Sequence, residues 1–201
     1  MPTNTPTLPL PPGPASPHTT PTPILTPATA TSLELVGHIG GASTAVFGQG
    51  KLLYFGTGAE LAILDVSDPT DPWRVGYVVL PDMATDIYVV GNYAYLGAMY
   101  PNDLRVIDIS DPTAQVEVGF YTQPADAREV AVAGSFAYVL DEYHSGLRLV
   151  DISDPTTPIQ VDFYDLPNPS QFDGIAVANG YVYAGAGTAG LYILRHGSTV
   201  E

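Results

Sequence analysis

The chain has 201 residues, enough for one large or two small domains, and its 6 basic and 21 acidic residues give a formal net charge of −15. A negative field of this size disfavours binding to nucleic acid and to anionic membrane surfaces, because both depend on Lys and Arg facing phosphate groups. Cations and basic partners remain compatible with it.

The first 32 residues differ in composition from the rest of the chain. They contain ten prolines and nine threonines and no charged side chain. Thr/Pro alternation such as that of residues 19–23 favours extended polyproline II geometry and buries little surface. We therefore predict a Pro/Thr-rich disordered linker or stalk over residues 1–32, with an O-glycosylated stalk as the alternative, and a folded domain over residues 33–201.

One stretch of nine residues occurs three times in the folded part, at 61–69, 104–112 and 147–155. Each copy is a short apolar run that ends in Asp, one further apolar residue and then Ser-Asp-Pro, and Asp65, Asp108 and Asp151 follow one another at intervals of 43 residues. A fixed period of this length is typical of repeat architectures, in which neighbouring copies of one small unit bury each other's faces.

Each repeat predicts four short strands. The Asp-Pro step is a turn signal, because Pro fixes φ and the Asp side chain caps nearby amides, and it leads to a second apolar run at 73–77, 116–120 and 159–163. A third run follows a Pro-containing link, at 86–90, 129–132 and 175–177. Two-residue steps that favour tight hairpins then lead to a fourth run, at 93–96, 136–139 and 181–184.

The pattern predicts an all-β protein. No long helical periodicity is present, and the apolar runs suggest strands that are covered on both faces. Four-stranded units that repeat every 40 to 45 residues or so, without helices, are the sequence form of β-propeller blades.

The runs 104–108 and 147–151, each followed by Ser-Asp-Pro and then by Val-Gly or Val-Asp, resemble the LVIVD repeat of bacterial and archaeal β-propellers. The resemblance extends over roughly residues 33–195. It implies a propeller fold and transfers no catalytic residue. The last copy departs from the pattern, because Arg195 stands where Asp is expected and no Asp-Pro turn follows.

The two ends of the domain predict the blade count. An innermost strand is expected near 43–48, 85–90, 128–133 and 173–178, but the fourth unit lacks its outer strand. Residues 33–39 resemble the outer strand at 116–121. We therefore expect a β-propeller with four blades of four antiparallel strands, closed by the N-terminal strand pairing into the last blade. Two chains pairing into an eight-bladed ring is the alternative.

The repeated Asp-x-Ser-Asp-Pro motif contains carboxylate and hydroxyl oxygens, which are the ligands that calcium prefers. The motif lacks the dense Asp/Asn/Gly loop that places six or more oxygens around one ion, so turn capping is the expected role. The four histidines do not have metal-ligand spacing. We therefore predict neither a metal site nor a cofactor.

The innermost strands begin with charged residues that are expected to converge at one mouth of the axial channel: Asp86, Arg128, Glu129 and Asp173. Concave openings of this kind favour ligand binding. A hydrolase or lyase that uses the axial carboxylates is one reading, and a solvated rim is the other.

The connections between the second and third strands of the units vary most in length and composition. Tyr100, Asp103, Tyr143 and His144 lie in or beside these connections and are predicted to form a polar, aromatic contact surface. Ordinary solvated hairpin tips are the alternative.

The sequence therefore favours a non-enzymatic module that presents loops for binding a protein or a glycan. No catalytic residue is predicted, since neither a nucleophile elbow nor a phosphate-binding glycine loop is present. Met1 is not followed by a signal peptide, and no apolar run is long enough to span a membrane. A Thr/Pro spacer ahead of the domain nevertheless favours an extracellular or cell-envelope location, as the tail of a longer exported chain, and a monomer is expected.

Overall fold

The structure is a computed structural model, and it describes residues 34–98, 103–122, 127–141, 146–167 and 172–197. The predicted linker, residues 1–32, lies outside the described residues. The described part of the chain contains fifteen strands and a single turn of 3-10 helix at Gly187–Ala189. The prediction of an all-β protein is therefore confirmed.

The strands form four antiparallel sheets, which we call blades 1 to 4, and in each sheet the strands neighbour one another in chain order. Blade 1 contains β1 (Ala45–Gln49), β2 (Leu52–Gly56), β3 (Glu60–Asp65) and β4 (Trp73–Val79). Blade 2 contains β5 (Ala84–Val90), β6 (Tyr93–Ala98), β7 (Asp103–Asp108) and β8 (Val116–Thr122). Blade 3 contains β9 (Ala127–Ala133), β10 (Phe136–Asp141), β11 (Gly146–Asp151) and β12 (Ile159–Asp165). Blade 4 contains only β13 (Gly174–Ala178), β14 (Tyr181–Gly185) and β15 (Leu191–Arg195).

The first hairpin of each blade has the two-residue turn that the sequence predicts. In blades 2 and 3 the last paired residues are Val90 with Tyr93 and Ala133 with Phe136. The first turn residue, Gly91 or Gly134, has φ of 60°, a left-handed conformation that glycine adopts without a steric penalty.

The core lies between the faces of neighbouring blades. One buried cluster joins blades 1 and 2, a second joins blades 2 and 3, and a third joins blades 3 and 4. Strands of blades 2 and 3 are therefore covered on both faces, which explains their continuous apolar runs. Leu96 of β6 and Val139 of β10, for example, are completely buried.

The outer strands β4, β8 and β12 share a β-bulge, which leaves Val75, Val118 and Val161 without a direct cross-strand partner. A bulge bends a strand and increases its twist. The repeat therefore includes the same local irregularity at the outer edge of three blades.

Closure of the ring is not shown. Contacts between innermost strands join β1 to β5, β5 to β9 and β9 to β13, but the sheets do not close. Residues 34–40 form no strand, so blade 4 has no outer strand among the described residues. The structure is thus a row of four β-propeller-like blades with two open ends.

Candidate functional site

A cavity lies where the innermost strands of blades 1 to 3 begin. It is lined by Thr44, Met83, Ala84, Thr85, Arg128 and Glu129. Thr44, Thr85 and Arg128 occupy one position of the repeat, six residues before the hairpin turns at Gly50, Gly91 and Gly134. The repeat thus brings two hydroxyl groups and a guanidinium group to one axial opening, and sequence reasoning missed the two threonines because only charged residues were considered.

Hydrogen bonds fix both threonines. The Thr85 hydroxyl donates to the carbonyl oxygen of Ala127 in blade 3 at 2.5 Å, and the Thr44 hydroxyl donates to the carbonyl oxygen of Gly56 at 3.4 Å. Each hydroxyl oxygen retains acceptor lone pairs. The two threonine hydroxyl groups, on the side of the cavity formed by blades 1 and 2, can therefore still accept hydrogen bonds from a ligand.

Arg128 and Glu129 are half-buried and line the same cavity. They lie side by side at the start of β9 and offer a donor group and an acceptor group of opposite charge. This combination suits a ligand with both polar donors and polar acceptors, such as a peptide or a sugar.

Asp86 was also predicted at the axial opening, but its carboxylate is hydrogen-bonded to backbone groups of the protein. Its Oδ2 accepts a hydrogen bond from the backbone N–H of Val130 in blade 3 at 2.9 Å, and its Oδ1 accepts one from Ile87 N–H at 2.8 Å. Burial raises the pKa of this carboxyl group, and the two backbone hydrogen bonds oppose the rise. Asp86 therefore links two blades.

Asp173 is exposed at the start of blade 4, where its backbone N–H donates to the carbonyl oxygen of Gly185 at 3.1 Å. Of the three carboxylates expected at the axial mouth, only Glu129 lines the cavity described above. Carboxylate-pair catalysis requires two such groups on either side of one bond. Among the residues that the structure describes, Glu129 is the one carboxylate that lines this cavity, so they do not provide that pair.

Asp103, which the sequence places in the contact surface, is buried inside blade 2. Its side chain is buried, with 0% of the residue exposed, and its Oδ2 forms an ion pair with the Arg105 guanidinium. Arg105 also donates to Glu117 at 2.9 Å. Burial raises the pKa of Asp103, and the charge of Arg105 opposes that rise. As a fully buried partner of Arg105, Asp103 is part of the packing of blade 2.

Blade 3 contains the same arrangement with the carboxylate on the neighbouring strand. Arg148 Nε donates to Asp141 Oδ2 at 3.0 Å, and Arg148 Nη1 donates to Gln160 at 2.8 Å. The guanidinium of Arg148 also lies 4.6 Å from the ring centre of Phe163, as that of Arg105 lies 5.1 Å from the ring of Phe120. The signal in the sequence is the Leu-Arg pair that opens two of the three repeated stretches.

The remaining predicted site residues, Tyr100, Tyr143 and His144, lie outside the described residues. Their contribution to a contact surface stays a prediction.

The carboxylates of the repeated motif cap turns, as predicted. The first Asp of each copy accepts a hydrogen bond from the N–H of the Ser two residues later, at 2.8 Å in all three copies. The second Asp accepts from both the N–H and the hydroxyl of the Thr two residues later, as Asp68 does from Thr70 at 2.9 and 2.6 Å. No cluster of three or more potential metal ligands occurs among the described residues.

None of the described residues belongs to a helix long and apolar enough to cross a membrane. The family model described as "LVIVD repeat" matches residues 40–79, 81–123 and 124–166, so it covers more than half of the chain. No curated protein matches the chain.

Two solved structures of designed repeat β-propellers resemble the fold. The computationally designed Ika4 protein has a TM-score of 0.64 and 15% identity, with 82% of this chain and 96% of that chain covered. The computationally designed Ika8 protein has a TM-score of 0.59 and 14% identity, with 77% of this chain and 46% of that chain covered.

Proposed function

This chain belongs to the LVIVD repeat family, and we propose that it is a non-enzymatic binding module, located outside the cell or in the cell envelope, that takes a protein or glycan ligand at one end of its blades. The observation that carries the proposal is the axial cavity, which is lined by Arg128 and Glu129 together with Thr44 and Thr85. Thr85, Arg128 and Glu129 lie in strands β5 and β9, and Thr44 directly precedes β1, so the sheets position these groups as a scaffold positions a binding site.

The charge of the chain supports a protein or glycan as the ligand. A net charge of −15 repels phosphate backbones, whereas neutral sugars and basic peptide segments experience no such penalty. The Thr/Pro composition of residues 1–32 supports a spacer that holds the domain away from an anchoring point.

A glycan array and a cell-envelope extract are the probes that test this proposal. We expect the full chain to retain a ligand from one of them, and we expect Arg128→Ala combined with Glu129→Gln to weaken retention at least tenfold while the chain stays folded. Lys51→Ala is the matched control, since Lys51 is an exposed charged residue at the opposite end of the strands. Equal retention by the double variant and the wild type would contradict the proposal.

Tyr100, Tyr143 and His144, which lie in the connections between the second and third strands of blades 2 and 3, are the second part of the proposed contact surface. Tyrosine side chains offer large contact area at low entropic cost, which suits weak protein or sugar contacts. Changing Tyr100 and Tyr143 together to Ser is expected to reduce retention of the same ligand. If retention does not change while folding is intact, the contact surface is confined to the axial cavity.

The proposal also includes the outer strand that blade 4 lacks. We propose that residues 33–39 supply it, because their sequence resembles the outer strand at 116–121 and because an unpaired strand edge at β15 is a liability that native proteins cover. The strand would complete a fourth blade and so make the ring continuous.

A further inference from the structure

Both open ends of the row expose residues of a kind that the inner interfaces bury. Val46 of β1 is 58% exposed, whereas Ile87 and Val130, at the same position of the repeat, are each 2% exposed. At the other end, Leu191 of β15 is 61% exposed, whereas Leu147, its counterpart in β11, is 6% exposed. Each end therefore presents one half of a blade-to-blade interface.

The two halves are complementary in repeat position. In blade 4, Ile175, Val182 and Leu194 pack against blade 3. Their counterparts in blade 1 are Val46, Leu53 and Leu64, and these three residues line an apolar groove beside the segment 37–39. The groove of blade 1 therefore corresponds to the face of blade 4 that packs against blade 3. The opposite face of blade 4, with Tyr183, Leu191 and Ile193, corresponds to the face of blade 3 that packs against blade 4. This second face is the one that would fit the groove.

The segment 36–39 already lies where an outer strand belongs. A Cβ atom added at Gly76 or Gly119 would overlap the carbonyl oxygen of the Asp-Pro turn in the next blade, at Pro112 or Pro155. A Cβ atom at Gly37 would overlap the carbonyl oxygen of Pro69 in blade 1 in the same way. Gly37 is thus placed against blade 1 as the outer-strand glycine of a preceding blade.

The curvature of the row indicates which blade precedes blade 1. A four-bladed ring turns by a quarter of a circle at each interface, and three such turns would bring blade 4 against blade 1. Three interfaces are packed here, yet the sheets do not close, so together the interfaces do not complete the three quarter-turns of a four-bladed ring. A ring of more blades fits this curvature, and two copies of the chain provide it within the usual size range of propellers.

We propose that a second copy of this chain closes the ring, with blade 4 of each protomer packed into the blade 1 groove of its partner. The inference rests on the proposed outer-strand role of residues 33–39 and adds that the strand pairs with β15 of the partner. Two-fold symmetry makes the two closing interfaces identical.

The register of the other blades predicts one polar contact at this interface. The last residue of the third strand pairs with the first residue of the outer strand in all three complete blades: Asp65 with Trp73, Asp108 with Val116 and Asp151 with Ile159. The same register places Glu34 opposite Arg195 of the partner. In blade 4 the third strand ends in Arg195 where the other blades have Asp. The proposed outer strand has Glu34 where the other outer strands begin with an apolar residue. Opposite charges at directly opposed positions of two strands are stabilising.

Charge reversal at these two positions tests the inference. Glu34→Lys and Arg195→Glu are made in separate full-length chains, one of them carrying a size tag, and dimer dissociation is measured by sedimentation. Both residues are exposed, so we expect each variant to fold. Each variant alone places like charges at both interfaces, and we expect its dimer to be weaker than the wild-type dimer by about tenfold.

An equimolar mixture of the two variants is expected to restore the wild-type dissociation constant, as a dimer of one copy of each, because opposite charges then face each other at both interfaces. The doubly substituted chain, with the charges exchanged within one copy, is the control and is expected to dimerise like the wild type. A wild-type chain that stays monomeric, or variants that mixing does not rescue, would overturn the inference. If the chain is monomeric and deletion of residues 1–40 still lowers its melting temperature, the outer-strand role stands and closure occurs within one chain.

Discussion

The six aspartates of the repeated turns show how one residue type serves one local purpose throughout the chain. Hydrogen bonds from the following Ser or Thr lower the pKa of all six, which are Asp65, Asp68, Asp108, Asp111, Asp151 and Asp154. A carboxyl group whose pKa is lower in the folded state than in the unfolded state stabilises the fold above its unfolded pKa. That stabilisation disappears as the pH falls through the folded-state pKa.

We therefore expect the melting temperature to fall progressively as the pH is lowered from about 5 through the ordinary aspartate pKa of about 3.9 and on through the lower folded-state values. Asn at positions 68, 111 and 154 keeps an acceptor oxygen but does not titrate. A chain with all three Asp→Asn changes is expected to lose less stability over this range in calorimetry. Asp173→Asn, outside the turns, is the control, and parallel curves for the triple variant and the wild type would contradict the turn-capping account.

Asp86 gives a second prediction at the residue scale. Asp86→Ala removes the acceptor for the N–H of Val130, a buried residue in the next blade. Leaving such a donor unsatisfied costs about 1 to 3 kcal/mol, so we expect a loss of that size in denaturant unfolding. Asp86→Asn retains a carbonyl oxygen and is expected to lose less, and equal losses for the two variants would show that the charge of Asp86 is what matters.

At the scale of elements, the local signals predict most of the fold. The 43-residue period, the Asp-Pro turns and the two-residue hairpins lead correctly to four strands per unit, because each signal acts within a few residues of the strand that it bounds. The burial of Asp103 could not be predicted, because it depends on the ion pair with Arg105 and on strand pairing across the blade, and neither is visible from the neighbours of Asp103 in the sequence. Closure could not be read from strand spacing because the turn per interface depends on side-chain packing between blades.

The outer strand gives the prediction at this scale. Deleting residues 1–40 removes Leu35, Val36 and Ile39 of the proposed outer strand, which would otherwise cover the edge of β15. At roughly 1.5 to 3 kcal/mol for each side chain that the completed blade buries, we expect a clear drop in melting temperature. Deleting residues 1–30 is the control and is expected to have no effect. Equal melting temperatures for the two deletions would remove residues 33–39 as an outer strand.

At the scale of the whole molecule, the excess of carboxylates dominates the response to ions. With 21 acidic and 6 basic residues, repulsion within the folded domain is reduced by dissolved salt. We expect sodium chloride to raise the melting temperature gradually and calcium to act only as one more screening ion. A stoichiometric calcium isotherm in calorimetric titration that is lost on Asp108→Asn would contradict this expectation and restore the repeated motif as a calcium site.

The glycine of one outer strand and the Asp-Pro turn of the next blade form a matched pair across the boundary between two units. Gly76 and Gly119 are followed by blades with such a turn, whereas β12 has Asp162 at the same position and is followed by blade 4, which has none. The residue at this position of each outer strand therefore restricts which blade can follow it. A copy of blade 2 duplicated in tandem keeps the match at both of its borders, but the same copy inserted after blade 3 sets the Asp162 side chain against a proline carbonyl. The order of the blades is therefore not arbitrary, because the outer strand of blade 3 fits blade 4 and does not fit a blade that carries the Asp-Pro turn.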